Sequence, residues 1–170
     1  MPKTTKSGKP KQSELPSTLQ NSSGKAQRTF TKAYDAAIDQ YGDEQRAHQV
    51  AFAALKHTHE KVGDTWKRKD KGGRGPSDAQ AAGGRDTNRP TAGGVDANAS
   101  KRHLYDLAKQ LKIPGRSSMS KTELVTALQK ANDRVSAKSR ARKSSKTTRA
   151  SKKSKKSKKS KKSKKSKKSK

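Results

Sequence analysis

The basic residues at the C-terminus have the type and spacing needed to bind a polyanion. Residues 134–170 contain twenty Lys or Arg and no Asp or Glu, and from Ser151 onward they repeat the triplet Ser-Lys-Lys. Lysines at this density displace the counterions condensed on nucleic acid, and this release drives affinity without reading base sequence. The side chains that we expect to contact phosphate here are Arg140, Arg142, Lys143, Lys152, Lys153, Lys155 and Lys156.

Two further roles for this tail stay open. A polybasic segment also binds anionic lipid, although such segments usually accompany an apolar helix or a lipidation signal, which we do not recognise in this sequence. The tail could also serve only to keep the chain soluble. Because the charges repel one another and leave no core to form, we expect residues 134–170 to be extended and disordered.

A second candidate phosphate site lies in a loop that begins at Gly115. Gly115 permits a tight turn, Arg116 offers a planar guanidinium, and the residues up to Lys121 approach the N-terminus of a following helix, whose dipole favours an anion. We therefore expect Arg116, Ser117 and Lys121 to contact phosphate. A structural role is the alternative, in which the stretch Ser120–Glu123 is a capping box and nothing more.

The other reactive side chains do not form a recognisable catalytic or metal-binding group. His57 and His59 are two residues apart, so on a helix they diverge and cannot chelate one metal ion. We interpret them, with His48, as solvated helix residues. The sequence contains no Cys, which removes thiolate chemistry. We expect no enzymatic activity, no cofactor and no bound metal.

The composition confines folded structure to short stretches. Only 25% of the 170 residues are hydrophobic and 4% are aromatic, below the usage of globular domains. We predict an all-α protein of two small helical modules joined by disordered linkers. The predicted boundaries are 1–13 (disordered), 14–70 (first module), 71–99 (flexible Gly-rich linker), 100–133 (second module) and 134–170 (tail).

The first module has the pattern of two helices. Apolar residues recur at three- and four-residue steps up to Tyr41, after which Gly42 suits a left-handed C-cap and Asp43 an N-cap. The same periodicity continues to Val62, and Gly63 is predicted to end the second helix. The residues predicted to form the cores of the two modules are Phe30, Tyr34, Leu55, Trp66, Leu107, Leu111, Leu124 and Leu128.

The first module also carries a longer pattern, with a specific residue at many positions. It consists of Leu15-Pro16, Ala26-Gln27, Phe30, Ala33, Tyr34, Ala37, Tyr41, Arg46-Ala47, Val50-Ala51, residues 53–56, Glu60-Lys61, Gly63-Asp64 and Trp66. This pattern resembles the ChaB family, which is named for regulation of a cation antiporter. The resemblance covers about residues 14–70 and implies a helical domain and an accessory regulatory role. It departs from the family at Ile38, where an aromatic is frequent, and at Asp35-Ala36.

The second module carries the string LAKQLKIPGRSSMSKTEL at positions 107–124. This string resembles the N-terminal domain of the Rho transcription-termination factor, and it is similar to SAP-type modules that bind DNA. The resemblance spans about residues 100–133 and implies a helix, an extended loop and a second helix. As a function it implies nucleic-acid contact through the loop.

Together these features predict a nonenzymatic nucleic-acid-binding protein of the bacterial cytoplasm, associated with the nucleoid. We expect DNA as the partner and leave RNA open, because backbone electrostatics do not separate the two. Residues 14–70 would hold an unidentified protein partner. One alternative is a ChaB-like accessory regulator of a cation antiporter, and another is an accessory role in transcription termination through RNA. The sequence shows no run of about 18 apolar residues, so we expect no transmembrane segment. It also shows no apolar stretch near its start, so we expect no secretory signal.

Removal of residues 134–170 should abolish most duplex affinity at moderate salt. For the whole protein, the logarithm of the binding constant should fall with the logarithm of salt concentration with a slope on the order of −6 to −10, as for seven to eleven neutralised phosphates. Gel-shift titrations at several salt concentrations measure both quantities. Equal affinity of the truncated and intact proteins would show that the tail is not the main anchor.

Overall fold

The structure, a computed structural model, describes residues 2–70, 73, 75–83 and 89–165, with side chains as far as Ser144. Residues 1–136 form one compact unit and residues 137–170 a second. The described elements are a 3-10 turn (Gln12–Glu14), helices α1 (Ser17–Gln20), α2 (Gly24–Tyr41) and α3 (Glu44–Lys56), strands β1 (His59–Val62) and β2 (Thr65–Arg68), and helices α4 (Ala79–Ala82), α5 (Lys101–Gln110) and α6 (Lys121–Lys165).

The predicted reversal between α2 and α3 is confirmed. Gly42 adopts a φ of 66°, and its N–H donates to the carbonyl of Ile38. Glycine takes this left-handed conformation at little steric cost, so α2 ends here. The carboxylate of Asp43 then accepts hydrogen bonds from the amides of Gln45 and Arg46, which starts α3.

The first core lies between α2 and α3 and is closed by α1 and β2. Phe30, Tyr34 and Leu55 are completely buried, and Trp66 is 5% exposed. The rings of Phe30 and Phe52 meet edge to face with centroids 4.9 Å apart, an arrangement that aromatic pairs favour. Additional apolar side chains come from the segment before α2, namely Leu15 and Leu19.

The stretch after Lys56 is a β-hairpin, so the chain is mostly helical, as predicted, but not purely all-α. Strand β1 pairs antiparallel with β2, with Val62 opposite Thr65. The two residues between them are Gly63 and Asp64, and Gly63 has a φ of 67°. A two-residue hairpin turn requires a positive φ at its first central position, which Gly supplies. Gly63 therefore reverses a strand and does not end a helix.

Val62 enters a second core, which is formed mainly by α5 and α6. The side chains of Leu104, Leu107, Leu124 and Leu128 are buried there, whereas Leu111 is half-buried. Because β1 contributes to this core and β2 to the first, the two predicted modules pack as parts of one unit.

Helix α6 is attached to the hairpin turn by side-chain hydrogen bonds. Asn132 is 1% exposed; its Oδ1 accepts from the Gly63 N–H (2.7 Å) and its Nδ2 donates to the Lys61 carbonyl (2.9 Å). The Ser136 hydroxyl donates to the Gly63 carbonyl (3.3 Å). Buried backbone groups need partners, and here two polar side chains of α6 supply them.

Parts of the Gly-rich stretch predicted as a flexible linker are packed, although other described residues of it are exposed. Ala92 and Val95 are buried in the second core. Gly94, with a φ of 96°, lies so close to the Trp66 ring that a Cβ there would come within 2.7 Å of its Cη2 atom. Glycine and alanine indicate loops by composition, but they also let backbone approach other atoms closely.

A buried ion pair ties this stretch to the end of α3. Lys56 Nζ lies 2.9 Å from Asp78 Oδ2, and both side chains are at most 5% exposed. Nζ also donates to Gln80 Oε1 (2.8 Å), and the Asp78 carboxylate accepts from the amides of Ala81 and Ala92 (both 2.8 Å). Burial raises the pKa of Asp78, but the hydrogen bonds from the two amides and Lys56 outweigh it and lower the pKa.

Described residues toward both ends of the chain have contacts or regular backbone structure. Near the N-terminus, the Lys3 N–H donates to Asp35 Oδ1 (2.6 Å), and Lys3 Nζ lies 4.4 Å from the centre of the Tyr34 ring. At the other end, the backbone remains helical as far as Lys165. No Gly or Pro follows Gly115, and Lys, Arg and Ala have high helix propensity, so the sequence contains no strong helix breaker after α6 begins.

His59 is neither helical nor solvated, in contrast to the prediction. It lies in β1 and is 2% exposed. Its Nδ1 is 2.8 Å from the Thr58 hydroxyl, and its buried Nε2 has no hydrogen-bond partner among the described residues. Burial, followed by the charges of Arg68 and Lys25, lowers the pKa of His59, so the ring is neutral at neutral pH.

Replacement of Asn132 by Ala should lower the free energy of unfolding by about 2–4 kcal/mol, because two backbone groups of the hairpin lose their partners. Urea unfolding followed by circular dichroism measures the change. The matched control is Asp133→Ala, since Asp133 is 74% exposed and its pair with Lys61 (3.3 Å) should contribute only about 0–1 kcal/mol. Equal losses in the two variants would contradict the role of Asn132.

The buried neutral His59 should make the fold sensitive to mild acid. Its folded-state pKa lies below the unfolded value of about 6.5, so the unfolded chain binds more protons as the pH falls. Its stabilising contribution is complete above about pH 6.5 and is lost as the pH falls through the lowered folded pKa.

His59→Asn removes this titration, so its unfolding free energy should fall less than that of the natural sequence between about pH 7 and pH 5. Protonation of the Asp78 carboxylate would change the unfolding free energy only at a more acidic pH, because the pKa of this group in the unfolded chain is about 4. Identical pH profiles for His59→Asn and the natural sequence would contradict this prediction.

Candidate nucleic-acid interface

The candidate loop between α5 and α6 is held by its own backbone. The Ile113 N–H donates to the Ala108 carbonyl (2.9 Å), and the Ser118 N–H donates to the Gly115 carbonyl (3.2 Å). Gly115 has a φ of 69°, as a tight turn at this point requires. The predicted order of helix, extended loop and helix is therefore present over Lys101–Gln110 and from Lys121 onward.

Arg116 is turned back onto this loop. Its Nη1 donates to the Ile113 carbonyl (3.1 Å), and its guanidinium carbon lies 5.7 Å from the centre of the Tyr105 ring. The side chain is half-buried, and its Nε is buried without a hydrogen-bond partner in the described part of the chain. These contacts give Arg116 a structural role in the loop. They leave less of the guanidinium available to an external phosphate than the sequence suggests.

The N-terminus of α6 already holds an anion from the protein itself. Glu123 Oε2 accepts from the Ser120 N–H (2.7 Å), and Ser120 Oγ accepts from the Glu123 N–H (3.3 Å). This reciprocal pair is the predicted capping box. The hydrogen bond from the Ser120 amide lowers the pKa of Glu123, which keeps its carboxylate ionised. A phosphate at this helix end would compete with that carboxylate, so the helix dipole is a weak argument for a phosphate site.

The other predicted contacts are exposed. Ser117 and Lys121 lie at the surface, and neither shares the contacts of Arg116 with Tyr105 and Ile113. Further exposed cations on α5, the loop and the first turns of α6 are Lys101, Arg102, Lys109, Lys112, Lys130 and Arg134. These side chains can contact a phosphate backbone without displacing the carboxylate that caps α6.

Within residues 137–170, the described cations lie on one helix. Lys138, Arg140, Arg142 and Lys143 are exposed. Lys138 and Arg142 are four residues apart, so they share one face of α6. The backbone at Lys152, Lys153, Lys155 and Lys156 is also helical, while their side chains lie outside the described part of the structure.

A polar cleft of about 490 Å³ lies beside β1, α5 and the Gly-rich stretch. Lys69 Nζ pairs with Asp96 Oδ2, and His103 Nε2 is hydrogen-bonded to Glu60 Oε1, both at 2.9 Å. The carboxylate of Asp70 also lines the cleft. Lys69 and Asp96 are at most 5% exposed and their charges compensate each other. Over the described residues, no group of three or more His, Asp or Glu is placed to hold a metal ion.

The sequence does not indicate two of the structurally important polar residues, and it indicates a third only weakly. Asn132 and Ser136 lie on α6 between residues that look like a solvated face, and nothing in their spacing points to the hairpin turn. Asp78 carries a weak signal, since an Asp before Ala-Gln-Ala-Ala is a good N-cap for a short helix.

No helix within the described ranges is long and apolar enough to cross a membrane.

Comparison with known proteins finds a similarity over helices α1 to α3 and the β-hairpin. No curated protein and no solved structure matches the chain. A family model described as ChaB matches residues 15–69, from the segment before α1 to the end of β2, which confirms the resemblance predicted for about residues 14–70. Over this third of its length, the chain is similar to the ChaB family.

Proposed function

We propose that this chain is a nonenzymatic nucleic-acid-binding protein of the cytoplasm, associated with the nucleoid. The observation that carries the proposal is the charge distribution: twenty of the 44 Lys and Arg residues lie in residues 134–170, together with no acid. Polyanion binding by such a segment depends on counterion release and needs no enclosed site.

The position of the described cations supports this proposal. Lys138, Arg140, Arg142 and Lys143 are exposed on a helix. Cations on one helix face can follow a phosphate backbone, which fixes position but carries no base information. DNA is the partner that we propose first, with RNA as a second polyanion that the same contacts would accept.

Residues 24–70 have a different role in this proposal. They contain nine basic and seven acidic residues and are therefore nearly neutral. Such a surface adds little to backbone electrostatics. We infer that this part of the protein holds a protein partner, while the loop Gly115–Lys121 and the tail contact nucleic acid.

A second candidate function is that of an accessory regulator of a cation antiporter. The match to the ChaB family over residues 15–69 favours it, and none of the comparisons points to nucleic acid. Family likeness thus gives stronger support to the regulator, whereas the charge distribution gives stronger support to nucleic-acid binding. The likeness of residues 100–133 to Rho and SAP modules remains a prediction, as does the accessory role in termination that it implies.

The test is a titration of the full chain, with and without its tail, against duplex DNA, single-stranded RNA and vesicles of anionic lipid. The truncation should follow Ser136, and not begin at residue 134 as the sequence alone suggested, because the Ser136 hydroxyl donates to the Gly63 carbonyl within the first unit. Nucleic acid should bind with a steep salt dependence that the shorter protein loses. Tighter binding to vesicles than to either nucleic acid would contradict the proposal and favour a membrane role.

Matched charge reversals test which part of the protein contacts nucleic acid. Lys138→Glu with Arg142→Glu should weaken duplex binding and make the salt slope less steep by about 2, one unit for each phosphate contact. Lys67→Glu with Arg68→Glu changes the net charge equally at exposed positions of β2 and is the control. An equal effect of the two pairs would show that net charge alone drives binding.

A further inference from the structure

A groove of about 680 Å³ lies on the ChaB-like part of the protein, and its lining includes neither the Gly115–Lys121 loop nor the described tail cations. One wall is the face of α3 that carries Gln45, His48, Gln49 and Phe52, which recur at the three- and four-residue spacing of a single helix face. Described residues of the stretch 89–94 also line the groove. A groove of this size can hold one planar ring with its attached groups.

Aromatic rings form the apolar part of the groove. The Phe52 ring lies 5.9 Å from the Trp66 ring and 6.4 Å from the His48 ring, measured between centroids, and the Phe52 and His48 rings are nearly parallel at 24°. Phe52 and His48 are half-buried, so part of each ring is open to the groove. Burial, followed by the charge of Lys3, lowers the pKa of His48, so that its ring is uncharged at neutral pH. Neutral rings of this kind stack with nucleobases.

The rim of the groove offers neutral hydrogen-bonding groups. Gln45 and Gln49 are exposed on the same helix face as Phe52. A side-chain amide both donates and accepts, which is the chemistry that recognises the edge of a base. An aliphatic ligand has no hydrogen-bonding groups and would leave the amides of Gln45 and Gln49 without a ligand contact.

The charged side chains in the described lining of the groove are basic. Its described lining contains Lys56, Lys61 and Arg89 and no carboxylate. The charge of Lys56 is balanced by Asp78 behind it, and Lys61 has a weaker partner in the exposed Asp133 at 3.3 Å. The described lining itself therefore places no carboxylate against a phosphate.

We propose that this groove binds an unpaired base of single-stranded nucleic acid, with the sugar-phosphate chain leaving over its basic rim. The proposal rests on the proposed function and adds to it a preference for unpaired bases. A base inside a duplex is stacked and paired and does not reach such a groove, whereas a single strand can present its bases. The tail would supply affinity, and the groove would distinguish single strands from duplex.

Trp66 makes the proposal directly measurable, because it is the only tryptophan of the chain and lines the groove. The full-length protein is titrated with an oligothymidylate of about twelve nucleotides and with an abasic strand of equal length and charge. The normal strand should bind about 5-fold or more tighter than the abasic strand, and only the normal strand should quench Trp66 fluorescence.

A pair of matched variants tests whether the base binds in this groove. Gln49→Glu places a carboxylate in the groove, whereas Gln110→Glu makes the same change at an exposed position of α5. Both are surface changes that preserve side-chain size. Gln49→Glu should remove most of the advantage of the normal strand over the abasic one, and Gln110→Glu should leave that ratio unchanged.

Three results would overturn the groove proposal. Equal binding of normal and abasic strands would do so while leaving the proposed function intact, since the tail would still bind both. Absence of binding to either strand would reject the proposed function as well. A glutamate-rich peptide of similar length that changes Trp66 fluorescence as strongly as the oligonucleotide would assign the groove to an acidic protein segment instead.

Discussion

The β-hairpin is the constraint on which the first 136 residues depend, because it belongs to both cores. Trp66 of β2 closes the first core, and Val62 of β1 enters the second. The turn between the strands has its backbone groups satisfied by Asn132 and Ser136 of α6. Neither helical pair needs to be stable alone, since the same hairpin completes each of them. This shared element explains how a chain with so few apolar residues builds a compact unit.

Two buried ion pairs define where the Gly-rich stretch runs. Lys56 with Asp78 and Lys69 with Asp96 each join the ChaB-like part to that stretch at a distance of 2.9 Å. A buried charge without its partner is strongly unfavourable, so each pair allows few alternative placements of the backbone. The contribution of such pairs to net stability is small or even negative when compared with apolar substitutes. Their effect here is to select one path for a segment that has little apolar surface of its own.

Much of the helical structure can be predicted, because helix ends and apolar periodicity are local signals. Gly42, Asp43 and the Ser120–Glu123 capping box act within one or two turns, and all three appear as expected. The hairpin escapes prediction because His59–Val62 continues the spacing of α3 and because Gly63 suits a helix end as well as a turn. Spacing likewise does not reveal the contact of Arg116 with Tyr105, which joins residues eleven positions apart. Long-range polar contacts of this kind are set by the folded arrangement.

The close approach of Gly94 to Trp66 changes how low-complexity sequence should be understood. A side chain of any size at that position would collide with an indole ring. The absence of a side chain is therefore a steric requirement, as specific as the shape of a large residue in a core. In alignments and in design, stretches rich in glycine and alanine are commonly treated as interchangeable spacers. This protein shows that one glycine within such a stretch can be among the least replaceable positions of a domain.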